Sequence, residues 1–148
     1  MLDTPVEVDA MALQEQMVAL VRGFGWHRPD RTPCGQPVPI SEAHALMELA
    51  RTETLPQSEL GARLGLEKST VSRLVGQLDA RGWLARGRSS DDGRVMLVAL
   101  SPAGRQAADQ LASARAALFA RLLQRIPVER RDGVLESLSA LVEAVREI

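Results

Sequence analysis

The chain has one cysteine, two histidines and no tyrosine in 148 residues. A single cysteine cannot close an internal disulfide, which fits a reducing, cytoplasmic setting. So few histidines and cysteines leave little material for an all-protein zinc site or a catalytic triad. There is no P-loop lysine motif, no Gly-x-Gly-x-x-Gly after a strand and no metal-spaced His/Cys cluster. No run approaches the ~18–20 continuous apolar residues that a membrane span needs. The opening MLDTPVEVDA holds acids where a secretory leader carries basic residues. The net charge of −1 is too small for a protein that coats nucleic acid or anionic membrane, although it leaves room for a local basic patch. These absences point to a cytoplasmic binding protein rather than an enzyme, with no cofactor and no metal.

What is present is ordinary for one globular domain: 45% hydrophobic and 25% charged residues. Residues 7–22 space Val8, Met11, Leu13, Met17, Val18 and Val21 as a helix does. Residues 23–40 break that pattern with three glycines and four prolines, loop chemistry of a length that is usually functional or mobile. Ser41 is a suitable N-cap for a helix carrying Ala45, Leu46, Leu49 and Ala50. A short helix over about 57–64 ends at Gly65, and another runs from near Glu67 to Gly82. The stretches 84–86 and 95–100 predict a β-hairpin with a polar loop between them. Ser101-Pro102 starts a helix with the stripe Ala107, Leu111, Ala114, Leu118, Leu122 and Ile126. After Pro127 a last helix carries Val134, Leu135, Leu138, Leu141, Val142 and Val145 at near-heptad spacing.

Residues 57–82 carry the most information. Leu64-Gly65-Leu66 is a tight turn between two short helices, as in a helix-turn-helix. On the second helix Val71, Leu74, Val75 and Leu78 share a face, and Ser69, Ser72, Arg73 and Gly76 point the other way. An ordinary surface helix carries Glu and Lys there. A helix lying in a major groove needs short donors and acceptors, an Arg, and room for close approach, which Gly76 provides. The plainer reading is a helical hairpin with an unremarkable surface. The hairpin that follows makes the arrangement winged, with Arg86, Arg88 and Arg94 on a ribbon within reach of a minor groove. Asp92 has two readings: it holds the guanidinium of Arg94 or Arg73 in a fixed pose, or it only supplies turn chemistry with Asp91 and Gly93. Residues 61–105 hold eight basic and four acidic residues, +4 locally against −5 for the rest of the chain.

The runs Gln57-Ser58-Glu59-Leu60, Leu64-Gly65-Leu66-Glu67-Lys68-Ser69-Thr70-Val71-Ser72-Arg73-Leu74 and Leu78-Asp79-Ala80-Arg81-Gly82-Trp83 resemble the reader of the MarR family of bacterial transcriptional regulators. Asp92-Gly93-Arg94 and Leu97-Val98-Ala99-Leu100-Ser101-Pro102-Ala103-Gly104-Arg105 resemble its wing and the start of its linker helix. Pro56 stands where many members have a capping Thr, and Glu67 where a shorter cap is common. The resemblance implies a mainly α fold with a small β-hairpin wing, a winged helix-turn-helix with N- and C-terminal dimerisation helices. It implies one domain over 1–148, with the DNA-binding lobe at 41–101 and the dimerisation region at 7–40 and 102–148. The DNA-facing set it implies is Ser58, Lys68, Ser69, Thr70, Ser72, Arg73, Gly76 and Arg88, with Arg94 braced by Asp92 in the minor groove.

The terminal helices have apolar seams that one winged domain does not easily cover, so pairing two chains is expected; the plainer reading is a hairpin of the two terminal helices within one chain. By resemblance, the homodimer binds a pseudo-palindromic operator as a repressor and is released by a small-molecule or oxidant effector. Cys34 lies near His27, Arg28 and Arg31, and basic neighbours favour a reactive thiolate; the plainer reading is an unreactive cysteine. Trp26 lines an aromatic pocket or simply packs in the core. His44, with Glu42 and Cys34, suggests metal ligands only weakly, since 42 and 44 do not share a helix face; a histidine at a helix–helix contact is the better reading. Trp83 is expected to pack the hairpin base on the reader helix. The reading from another class is a winged-helix adaptor that binds protein and no DNA. It calls for an acidic or apolar reader face, which this chain does not have.

Overall fold

A computed structural model describes residues 4–148. Thr4 starts α1 (Pro5–Phe24) with a reciprocal cap: its hydroxyl accepts from the Glu7 N–H, and the Glu7 carboxylate accepts from the Thr4 N–H. α2 (Ile40–Ala50) is entered from Pro39, one turn-forming proline earlier than the expected Ser41, which already lies inside the helix. Proline fixes the extended entry and its carbonyl accepts the Ala43 N–H at 2.9 Å, so no side-chain cap is required. The long segment between α1 and α2 is built rather than loose. Buried Thr32 closes it, accepting from the Gln36 N–H at 3.1 Å and donating its own N–H to the Gln36 carbonyl at 3.1 Å. Cys34 and Val38 from this segment pack against the core.

The centre of the chain forms β1 (Leu55–Pro56), α3 (Gln57–Leu64), α4 (Lys68–Ala80), β2 (Leu84–Arg88) and β3 (Met96–Leu100). The sheet has three strands in the order β1-β3-β2, all antiparallel, where the sequence pointed to a two-stranded hairpin. The added strand is short: Leu55 opposes Val98 and Pro56 opposes Leu97. Pro56 has no N–H to give a second neighbour, so it sits where a proline is tolerated, on the sheet edge. Between α3 and α4, Gly65 adopts φ +65°, a left-handed conformation that costs glycine nothing and turns the chain sharply. Gly61 sets the closeness of the two helices, because a Cβ there would stand 2.7 Å from Val71 Cγ2. Leu46, Leu49, Leu60, Val75, Leu78 and Val98 are the largest fully buried side chains, so α2, α3, α4 and β3 share one core.

α5 (Pro102–Arg125) is tied to this lobe at its start. The Ser101 hydroxyl accepts from the Gly104 N–H at 3.1 Å and donates to the Gly82 carbonyl at 2.6 Å, and the Ser101 N–H donates to the Trp83 carbonyl. Arg105 Nη1 donates to the Ala50 carbonyl at 3.2 Å. Gly104 packs so tightly that a Cβ would overlap the Trp83 carbonyl oxygen. Ala108 and Leu111 complete the core; beyond them α5 leaves the lobe. α6 (Val128–Arg146) follows Pro127. Neither α1 nor α6 buries a residue. Among the described residues no helix is long and apolar enough to cross a membrane.

Candidate nucleic-acid interface

α4 turns Val71, Leu74, Val75 and Leu78 into the core. The opposite side therefore presents Ser69, Ser72, Arg73 and Gly76, all exposed, with Thr70 half-buried at the edge. A glycine in a helix interior costs about 1 kcal/mol relative to alanine. Nothing in the lobe lies within 4 Å of where a Gly76 Cβ would be, so no internal packing accounts for it. The face is short, polar and unobstructed.

Beside it runs a groove of about 450 Å³ between the start of α3, the start of α4 and the wing, lined among others by Gln57, Ser58, Lys68, Arg94 and Met96. Lys68, Arg73 and Arg94 have no ion-pair partner among the described residues. The other wing arginines are engaged. Arg86 Nη1 bonds Asp79 Oδ2 at 3.3 Å, and Arg88 Nη1 donates to the Gly93 carbonyl across the hairpin loop at 3.1 Å. Arg88 therefore stiffens the tip with one of its five donors. Asp92 does not meet a guanidinium: its Oδ1 accepts the Arg94 backbone N–H at 3.0 Å. Of its two sequence readings, the turn role is the one seen, and the Asp92 brace expected for Arg94 is not formed. Ser89 completes the tip, its hydroxyl accepting from the N–H groups of Asp91 and Asp92.

A second cavity, about 240 Å³, lies where α1, the α1–α2 segment, α2 and α5 meet. Its wall includes Phe24, Trp26, Cys34, His44, Arg115 and Phe119, and it is mostly apolar. The Phe24 ring stacks on Trp26 at 4.9 Å between centroids and on Phe119 at 5.9 Å. Cys34 Sγ lies 3.0 Å from Thr32 Oγ1. Among the described residues, Arg115 Nη1 is buried with no hydrogen-bond partner. Trp26, Cys34 and His44, far apart in local pattern, thus share one wall, while Phe24, Arg115 and Phe119 escaped the sequence reading. His44 is exposed in the single chain and lines this cavity. Glu42 points away from it and pairs with Arg81. Among the described residues no three His, Cys, Asp or Glu side chains gather as a metal site. Trp83 carries Arg81 over its ring at 4.9 Å and packs on the core at the base of β2, the place expected for it.

A helix-turn-helix followed by a β-hairpin wing, with an open polar reader face and unpaired cations beside it, defines a winged helix-turn-helix DNA-binding protein. The chain belongs to the MarR family of transcriptional regulators, which are not enzymes. The MarR family model matches residues 36–95. A MarR family transcriptional regulator from Silicibacter pomeroyi is 30% identical, with 71% of this chain and 70% of that one covered and a TM-score of 0.53. The uncharacterized HTH-type transcriptional regulator YdgJ of Bacillus subtilis is 23% identical over 108 residues, 73% of this chain; the chain spans 66% of that relative's length. The fold is shared with FabT of Streptococcus pneumoniae in complex with DNA, 18% identical, TM-score 0.70, 94% of each chain covered. It is also shared with PcaV of Streptomyces coelicolor in complex with its natural ligand, 20% identical, TM-score 0.70, covering 98% of this chain and 99% of that one.

Proposed function

We propose that this chain is a homodimeric repressor that reads a pseudo-palindromic operator and is released by an effector held in the cavity between α1, α2 and α5. The reader face of α4 carries this reading: Ser69, Thr70, Ser72, Arg73 and Gly76 enter the major groove. Lys68 and Ser58 take phosphates at its edge. Arg94, a wing arginine without an ion-pair partner among the described residues, enters the minor groove, and Arg88 holds the wing tip. The lobe over 41–101 reads DNA, and 7–40 with 102–148 pair the two chains. Support for pairing comes from the apolar side chains that a single chain leaves in water: Met11 and Leu13 on α1, Phe119 and Leu122 on α5, Leu138 and Val142 on α6 are each at least 39% exposed. FabT, which shares the fold, is seen with DNA.

The effector reading rests on the second cavity. A volume of about 240 Å³ suits a single-ring molecule, stacked rings supply a flat apolar wall, and the unpartnered Arg115 Nη1 calls for an anionic group. Cys34 on the same wall offers an oxidant a second way to alter that cavity. Effector release requires unequal affinity for the DNA-bound and released forms.

Capture of sheared host genomic DNA on the purified protein at moderate salt, followed by sequencing, tests the proposal. A recovered pseudo-palindrome near promoters is expected. No enrichment by folded protein that is reduced and free of effector contradicts DNA reading.

A further inference from the structure

Glu42 stands out among the acids. Its side chain is 6% exposed, and it lies 2.6 Å from Arg81 Nε. The oxygen concerned is off the line of the N–H, so this is an ion pair more than an aligned hydrogen bond. Burying a carboxylate carries a desolvation penalty that a single cation repays poorly, so stability alone does not favour the pair over an apolar contact. Helix capping does not account for it either. Glu42 sits in the first turn of α2, three residues after the N-cap, where an acid usually reaches back to the N-cap N–H. Here the N-cap is Pro39, which has none.

The pair joins two functional elements. Glu42 shares its helical turn with Ile40, Ala43 and His44, which line the cavity. Arg81 is the C-cap of α4 and lies over the ring of Trp83, where the chain enters β2 and the wing. The remaining α2–α4 contact is apolar packing within the shared core, which holds the two helices together without a directional bond. An ion pair between the start of one helix and the end of the other is directional. We propose that Glu42 and Arg81 are the positioning pair of the DNA reader: they set the pose of α4 and the wing on α2, and so tie that pose to the cavity side of the lobe. This rests on the DNA reading proposed above.

The test uses the full-length protein, the duplex recovered from genomic capture and a scrambled duplex of equal length and composition. Compared are wild type, the double variant Glu42→Met/Arg81→Met, and Glu42→Gln. The double variant removes both charges and keeps the volume apolar, so its melting temperature is expected to equal or exceed that of the wild type. Its affinity for the recovered duplex falls about tenfold while its affinity for the scrambled duplex holds, a loss of discrimination that a purely structural pair does not produce. Glu42→Gln keeps the shape and loses part of the same discrimination, about threefold, and serves if the double variant does not fold. Discrimination equal to wild type in a folded variant overturns the positioning role. A wild type that does not discriminate between the duplexes overturns the DNA reading itself, and this inference with it.

Discussion

Among the described residues Arg94 is a wing arginine with no ion-pair partner, and in the proposed reading it is the one that meets DNA. Arg86 and Arg88 are committed to Asp79 and to the Gly93 carbonyl, and Asp92 spends its oxygen on a backbone N–H. Arg94→Ala is therefore expected to weaken operator binding about tenfold and to reduce the slope of log affinity against log salt by about one per wing. Titrations at several salt concentrations measure both, and an unchanged slope removes the wing from the interface. Arg115 is the residue-scale counterpart in the cavity. A buried guanidinium nitrogen without a partner costs stability in the empty protein. Arg115→Met should leave the free protein as stable as wild type or about 1 kcal/mol more stable. A thermal midpoint several degrees lower would mean that Nη1 has found a partner in the dimer.

At the scale of elements, the junction of α5 with the lobe is the most constrained. Ser101 caps α5 and bonds the Gly82 carbonyl, and Gly104 has no room for a Cβ against the Trp83 carbonyl. The obstacle is backbone, which cannot rotate aside. Gly104→Ala should cost about 1–3 kcal/mol, the range for overpacking, read as a lower denaturant midpoint at unchanged slope. Stability equal to wild type would show that α5 can move off the lobe. The elements that carry this geometry differ in how legible they were. The turn at Gly65, the apolar face of α4 and the Ser101-Pro102 start follow from local chemistry and were readable residue by residue. β1 was not: two residues, one of them proline, have no strand pattern of their own and form only because Val98 and Leu97 lie opposite. The entry to α2 was misplaced because Ser41 is the better side-chain cap, whereas Pro39 needs none. The exposed polar face of α4 could be read from its periodicity. The cavity could not, since Phe24, Arg115 and Phe119 meet Trp26 and Cys34 only through tertiary packing. The Glu42–Arg81 pair was hidden for the same reason.

At the scale of the whole molecule, the chain is a compact reader with two unpaired helical arms. α1 and α6 bury nothing in the single chain, and on α6 an exposed seam of Leu135, Leu138, Val142 and Val145 repeats at helical spacing. A chain paired through these arms carries two reader helices related by a two-fold axis. Leu138→Glu with Val142→Glu should shift sedimentation from dimer to monomer and weaken operator binding about a hundredfold or more, because the second half-site is no longer tethered. The lobe itself should keep its core, since neither side chain is part of it. A variant that still sediments as a dimer would place the interface elsewhere.

The two-fold mode of reading is tested most directly by hydroxyl-radical footprinting of the wild-type protein on the captured duplex. Two protected half-sites related by symmetry, with centres about one helical turn apart, are expected from paired reader helices, with flanking minor-groove protection where Arg94 enters. A single protected half-site, or uniform protection without a pattern, would contradict it.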